Sequence, residues 1–151
     1  MGGWMSGSGP HPKDPRGRAL VVDDNPLIRE LIADFLQHMG LRVRVAPDGP
    51  TALAVFTGDR FDVLFVDFHM PGMSGLEVAA AVRRTDPLIP IILVTAQAPM
   101  LKAEELSQTG ISHVLPKPFT LNDIMACLRL THITLESEAL TDLDGRTYKD
   151  A

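Results

Sequence analysis

Apolar positions along this chain keep two different spacings, and the spacing changes from one short segment to the next. Residues 19–22 are an unbroken apolar run that stops at Asp23 and Asp24. Runs of the same kind occupy 63–66, stopping at Asp67, and 91–94, stopping at Thr95. Such runs, bounded by polar residues, read as strands buried on both faces. Residues 42–46 alternate instead, which marks a strand with one open face, as at a sheet edge. A short strand is predicted at 113–115.

Between the strands, apolar residues recur every third or fourth position. Leu27, Ile28, Leu31, Ile32, Phe35, Leu36 and Met39 outline a first helix, with Pro26 near its start and Gly40 just past its end. Residues 50–57 outline a short second helix closed by Gly58. Ser74 and Glu77 have the form of a capping box, opening a helix through Arg84. Two more helices are predicted, over 99–108 and from 120 to near 130. Apolar strands alternating with amphipathic helices define a (βα)5 chain: a doubly wound α/β sandwich on a parallel sheet, with right-handed crossovers.

The flanks differ. Residues 1–18 hold five glycines, three prolines and two serines, with only Trp4 and two methionines to bury. Such a segment cannot offset its ordering entropy and is expected to be a flexible tail. Its opening, Met1-Gly2-Gly3-Trp4-Met5-Ser6, formally matches a myristoylation pattern that is short and common by chance. Residues 132–151 form a polar, mildly acidic tail, expected to end in disorder and too short for a DNA-binding output domain. One domain is therefore expected, at 19–131 of 151 residues.

Composition narrows the function classes. With 45% hydrophobic and 22% charged residues the chain is ordinary for a globular protein. A net charge of −5 argues against a broad nucleic-acid surface. No apolar run approaches the ~18 residues of a membrane span, and no secretory leader pattern opens the chain. The single cysteine, Cys127, rules out an internal disulfide and suits a reducing, cytoplasmic setting. It reads as a packing residue of the last helix. His113 and His132 read as ordinary polar positions, and Asp142-Leu143-Asp144-Gly145 lacks the remaining ligands of a calcium loop.

The chemistry gathers at strand ends. Open parallel sheets bind ligands at the carboxyl ends of their strands, beside a switch in strand order. Those ends carry Asp23 and Asp24, Asp67, Thr95 and, two residues past the last strand, Lys117. In a sheet of order 2-1-3-4-5, strands one and three are neighbours and the acidic pair meets Asp67. Three clustered carboxylates raise one another's pKa unless a cation sits among them. An all-oxygen set suits a hard ion, magnesium first and manganese as the alternative. Cation, ammonium, hydroxyl and nucleophilic carboxylate together are what phosphoryl transfer requires. Any one of these residues alone would read as a turn former or helix cap.

These segments resemble the receiver domain of bacterial two-component response regulators, over about residues 19 to 130. The matching stretches are Val21-Val22-Asp23-Asp24-Asn25-Pro26-Leu27-Ile28-Arg29, Asp67-Phe68-His69-Met70-Pro71-Gly72-Met73-Ser74-Gly75-Leu76-Glu77, Thr95-Ala96 and Lys117-Pro118-Phe119. The resemblance implies a flavodoxin-like fold and an Asp67 that accepts a phosphoryl group from a histidine kinase or histidine phosphotransfer protein. It implies that Asp23, Asp24, Asp67 and the backbone carbonyl of His69 hold magnesium, that Thr95 moves toward the phosphoryl oxygens, and that Lys117 pairs with them. It also implies a cis Lys117–Pro118 bond, and a role for His69 and Gln97 in setting the acyl-phosphate lifetime. One position departs from the family. Val114 stands where an aromatic residue usually couples to the threonine, so output through the fourth helix and fifth strand is expected to use other motions.

On this reading the chain is a stand-alone receiver, or one cut from a hybrid kinase. It is not an enzyme in its own right, and it signals through an unidentified downstream protein rather than through nucleic acid or a membrane. A monomer is expected, with phosphorylation-dependent dimerisation as the alternative. Haloacid-dehalogenase-like phosphatases share the nucleophilic aspartate and magnesium, but they carry a second aspartate where this chain has His69, leaving no proton donor for the leaving group. A flavin-binding module is opposed by the carboxylates, which would sit where a flavin phosphate binds.

Overall fold

The structure, a computed structural model, describes residues 17–131 and 133. The tail readings for 1–16, for His132 and for 134–151, the 142–145 motif among them, lie outside the described residues.

Five strands form one parallel sheet in the order β2-β1-β3-β4-β5. They are β1 (Arg18–Val22), β2 (Arg42–Ala46), β3 (Val63–Asp67), β4 (Ile91–Thr95) and β5 (His113–Pro116). The helices are α1 (Pro26–His38), α2 (Gly49–Thr57), α3 (Gly75–Thr85), α4 (Ala103–Thr109) and α5 (Leu121–Arg129). The alternating strand β2 is an edge, while β1, β3 and β4 are central and almost wholly buried.

Successive strand residues point to opposite faces, and the two cores follow that parity. Ala19, Val21, Phe65 and Val94 meet α1 and α5 through Ile32, Leu36, Ile124 and Leu128. Leu20, Val22, Leu64 and Leu93 meet α2 and α3 through Ala52, Val78 and Val82. Helices thus cover both faces, and the direction in which successive strands are added to the sheet reverses between β1 and β3. That reversal opens the crevice in which the strand-end residues gather.

Local chemistry sets the helix starts. Asn25 caps α1 by accepting from the Leu27 N–H at 2.9 Å, with Pro26 next in the chain. Ser74 accepts from the Glu77 N–H at 3.3 Å, while the Glu77 carboxylate bonds the Ser74 hydroxyl at 3.4 Å. The full reciprocal capping box stands at α5, between Thr120 and Asp123.

Two expectations are corrected. The helix predicted over 99–108 is a 3-10 turn at Ala98–Met100, then two extended residues, then α4. Leu101 and Leu106 lie five residues apart, about 140° around a helix, yet both pack on the second core. The extended break lets both turn inward. Arg18, assigned to the flexible tail, opens β1: its N–H donates to Asp62 Oδ2 at 2.9 Å and its carbonyl accepts from the Asp62 N–H at 2.7 Å.

Candidate functional site

Four of the five strands bring a polar residue to the same end of the sheet. Asp23 follows β1, Asp67 closes β3, Thr95 closes β4 and Lys117 follows β5. β1 and β3 pair with Val22 opposite Val66, so the residues that follow them lie side by side. Ligand atoms of Asp23, Asp24 and Asp67 all lie within 4.8 Å of one another. Lys117 Nζ donates to Asp67 Oδ1 at 2.9 Å and stands 3.6 Å from Asp23 Oδ2. The Lys117–Pro118 bond is cis.

Asp23 and Asp67 are buried, at 1% and 5% exposure, and Asp24 faces solvent. Burial pushes the Asp23 and Asp67 carboxyls above the ordinary aspartate range. For Asp23 the Asn25 amide and Lys117 pull the other way, while Asp67 and Asp24 add repulsion. For Asp67 the Lys117 ammonium is the main opposing influence. Burial alone would depress Lys117, but its bond to Asp67 and the field of Asp23 hold its pKa raised. It stays a fixed cation.

Asp23 and Asp67 share the Lys117 ammonium with Asp24 close by, and the Asp23 Oδ2 atom is buried without a hydrogen-bond partner. An unsatisfied buried carboxylate oxygen beside two further oxygen donors fits a hard divalent cation such as magnesium.

Thr95 is buried, and its hydroxyl accepts from the Gln97 N–H at 3.0 Å, within its own loop. The Thr95 carbonyl accepts from the Lys117 N–H at 2.8 Å, tying the ends of β4 and β5. His69 and Gln97 are exposed, and His69 Nε2 lies 2.8 Å from Gln97 Oε1. Their side chains bridge the loops after β3 and β4, with the His69 ring stacked on Phe68 at 4.5 Å between centroids. Val114, half-buried and opposite Leu93, lines a shallow groove of about 380 Å³ with Cys127 and Pro118. The Cys127 thiol is buried and its pKa is pushed up to about 11 by burial, then by Asp123, which suits packing rather than reaction.

Two positioning residues escape a strand-end reading. Arg29, on α1, donates to the Asp23 carbonyl at 2.9 Å, and the Asn25 N–H donates to Asp23 Oδ1 at 2.9 Å. The second contact is an Asx turn, which the Asp-x-Asn spacing could have signalled. For Arg29 no comparable local rule exists.

The sheet order, the acidic crevice and the opposed lysine have the chemistry that phosphoryl transfer uses, and the comparisons give the family. The chain belongs to the response regulator receiver domain family, whose model matches residues 19–129. It is 36% identical over 135 residues to the response regulator MprA of Mycobacterium ulcerans, covering 88% of this chain and 58% of that protein. Among solved structures, the chemotaxis protein CheY4 of Vibrio cholerae superposes with a TM-score of 0.70 at 34% identity, covering 76% of this chain and 97% of that one. The receiver domain of the Francisella response regulator 1452 gives 0.68 at 28%, covering 76% and 95%. The chain thus spans about half the length of the curated relatives it matches. The receiver fold is that of signalling proteins, not of an enzyme family. Among the described residues no helix is long and apolar enough to cross a membrane.

Proposed function

We propose that this chain is a phosphorylation switch whose acceptor is Asp67, loaded by a histidine kinase or a histidine phosphotransfer protein. One observation carries the reading: Lys117 Nζ sits 2.9 Å from Asp67 Oδ1 in a crevice that also holds Asp23 and Asp24. An Asp67 oxygen attacks phosphorus. The P–O bond forms as the P–N bond to the donor imidazole breaks, and the electron pair leaves with the imidazole, which is protonated. Lys117 then faces the new phosphoryl oxygens, and Thr95 presents a hydroxyl able to donate while it still accepts from Gln97. Asp23, Asp24, Asp67 and the His69 carbonyl would hold magnesium or manganese, which supplies positive charge to the transferring group.

Burial raises the Asp67 pKa and Lys117 opposes that rise, so the lysine has a second duty: it favours the ionised carboxylate that attacks. The half-buried Val114 cannot bury or expose a ring, so a change at Thr95 reaches the surface through backbone, not through an aromatic swing. Output in this reading passes by protein contact, in the cytoplasm, from a chain that is monomeric before phosphorylation.

Intact-mass spectrometry after incubation with magnesium and a small acyl-phosphate donor tests the assignment. One labile phosphoryl adduct is expected on the wild type and none on Asp67→Asn. An unmodified wild type, or an equal adduct on the variant, would overturn it.

A further inference from the structure

The two ends of α4 are held very differently. Of its seven residues only Leu106 and Thr109 are even half-buried. At the amino end Lys102 provides no side-chain cap, and the short run 96–102 leads straight back to Thr95. At the carboxyl end Gly110, at φ +77°, closes a Schellman motif. Its N–H bonds the Ser107 carbonyl at 3.3 Å, and the Ile111 N–H bonds that of Leu106 at 3.0 Å.

Arg83 of α3 grips that closed end. Its Nε and Nη2 both donate to the Gly110 carbonyl, at 3.0 and 2.7 Å. Nη2 also reaches Ser112 Oγ and Nη1 the Asp86 carbonyl, each at 3.3 Å. Ser112 Oγ in turn accepts from the N–H of Ile91, the first residue of β4, at 3.0 Å. One rigid fork therefore joins the end of α3, the end of α4 and the start of β4, a task a lysine's single point charge cannot reproduce. The fit is close, because any side chain at Gly110 would collide with Arg83.

We propose that Arg83 anchors a one-ended hinge. The carboxyl end of α4 stays fixed at Gly110 while its amino end follows Thr95, so the state of Asp67 is expressed over 97–106 and not over 110–112. A helix held at one end moves most at the other, and the exposed, extended Lys102 supplies the compliant joint. This rests on the reading of Asp67 as phosphoacceptor.

Amide hydrogen exchange on the full chain tests it, using wild type, Arg83→Met and Arg83→Lys, with and without magnesium and beryllium fluoride as a phosphoryl mimic. At rest, the Gly110 and Ile111 amides are expected to exchange about tenfold faster in Arg83→Met, and by less in Arg83→Lys. Slow exchange in β3 identifies variants that remain folded; should the methionine variant not fold, the lysine variant decides. On loading, changes between 96 and 112 are expected over 97–106 in the wild type, and to spread to 110–112 in Arg83→Met. Wild-type protection of Gly110 and Ile111 in the folded variants would overturn the anchor, as would wild-type changes at 110–112 on loading. A wild type that ignores beryllium fluoride fails the phosphoacceptor reading and the hinge with it; the resting comparison still separates that from failure of the anchor alone.

Discussion

At the scale of single residues, the bridge between His69 and Gln97 is the feature that strand ends do not foretell. The two side chains are exposed, lie 28 residues apart in the chain and meet at 2.8 Å beside Asp67. On the proposed function, a bridge joining the loops after β3 and β4 narrows the approach of water to whatever Asp67 carries. Removing either partner should therefore shorten the adduct's life, by about threefold. Because each side chain acts through the other, the double substitution to alanine should cost no more than one single. Decay of the phosphoryl adduct in wild type, His69→Ala, Gln97→Ala and the double variant checks this. Multiplying effects would dismiss the bridge, and equal decay in wild type and His69→Ala would dismiss any role for His69. Asp23, Asp24, Asp67 and Thr95 were legible because apolar runs stop at them, and Lys117 because it follows the last predicted strand by two residues. The bridge was not, since nothing in a polar loop residue records its partner. Nor was the orientation of the Thr95 hydroxyl toward its own loop, which depends on backbone geometry after β4.

At the scale of elements, the start of α3 sets the position of Asp67. The Gly75 N–H donates to the Phe68 carbonyl at 2.9 Å, and a methyl group on Gly75 would fall on the Asp67 carbonyl and the Leu93 side chain. Gly75 is needed here for close approach. Gly75→Ala should push α3 away from β3 and destabilise the fold by roughly 1–3 kcal/mol, the usual range for forcing a methyl into a packed site. Its folded fraction should also load phosphate more slowly, because the displaced backbone is that of the acceptor. Urea unfolding with adduct formation under native conditions measures both; a variant as stable and as reactive as wild type would show that the contact is slack. Element types were readable almost throughout, since the apolar period changes cleanly from strand to helix. The reading failed at 99–108, where Pro99 and a scatter of apolar residues looked helical but Leu101 and Leu106 could not share a helix face. Sheet order is less local. The alternation of β2 marks an edge, yet the neighbours of β1 and β3 are fixed by how the helices cover both faces.

At the scale of the whole molecule, the acidic crevice makes stability depend on pH and on magnesium with opposite signs. Asp23 and Asp67 have folded pKa values raised above the ordinary 3.8. The folded state then binds more protons than the unfolded one, so the stability these groups contribute is complete below 3.8 and lost as pH rises through their folded values. Lys117 does not offset this near neutrality: its raised pKa gives a contribution that is full below the ordinary lysine value of 10.5 and lost only in alkali. Asp24, whose charge adds to the repulsion on both buried acids, offers the cleanest test because it is exposed. Without magnesium, Asp24→Asn should be more stable than wild type near pH 7, by about 0.5 kcal/mol for an exposed charge. That advantage should be smaller at about pH 4 than near pH 7, because lowering the pH brings protons onto buried carboxyls whose folded values are raised. Millimolar magnesium should reverse the order, because a bound cation stabilises the folded state according to its affinity and the variant has lost a ligand. Urea unfolding of both proteins at the two pH values, with and without magnesium, reads every sign. If magnesium stabilised the variant as much as wild type, Asp24 would not be a ligand. If the advantage of Asp24→Asn stayed flat with pH, repulsion within the crevice would not be what limits the resting protein.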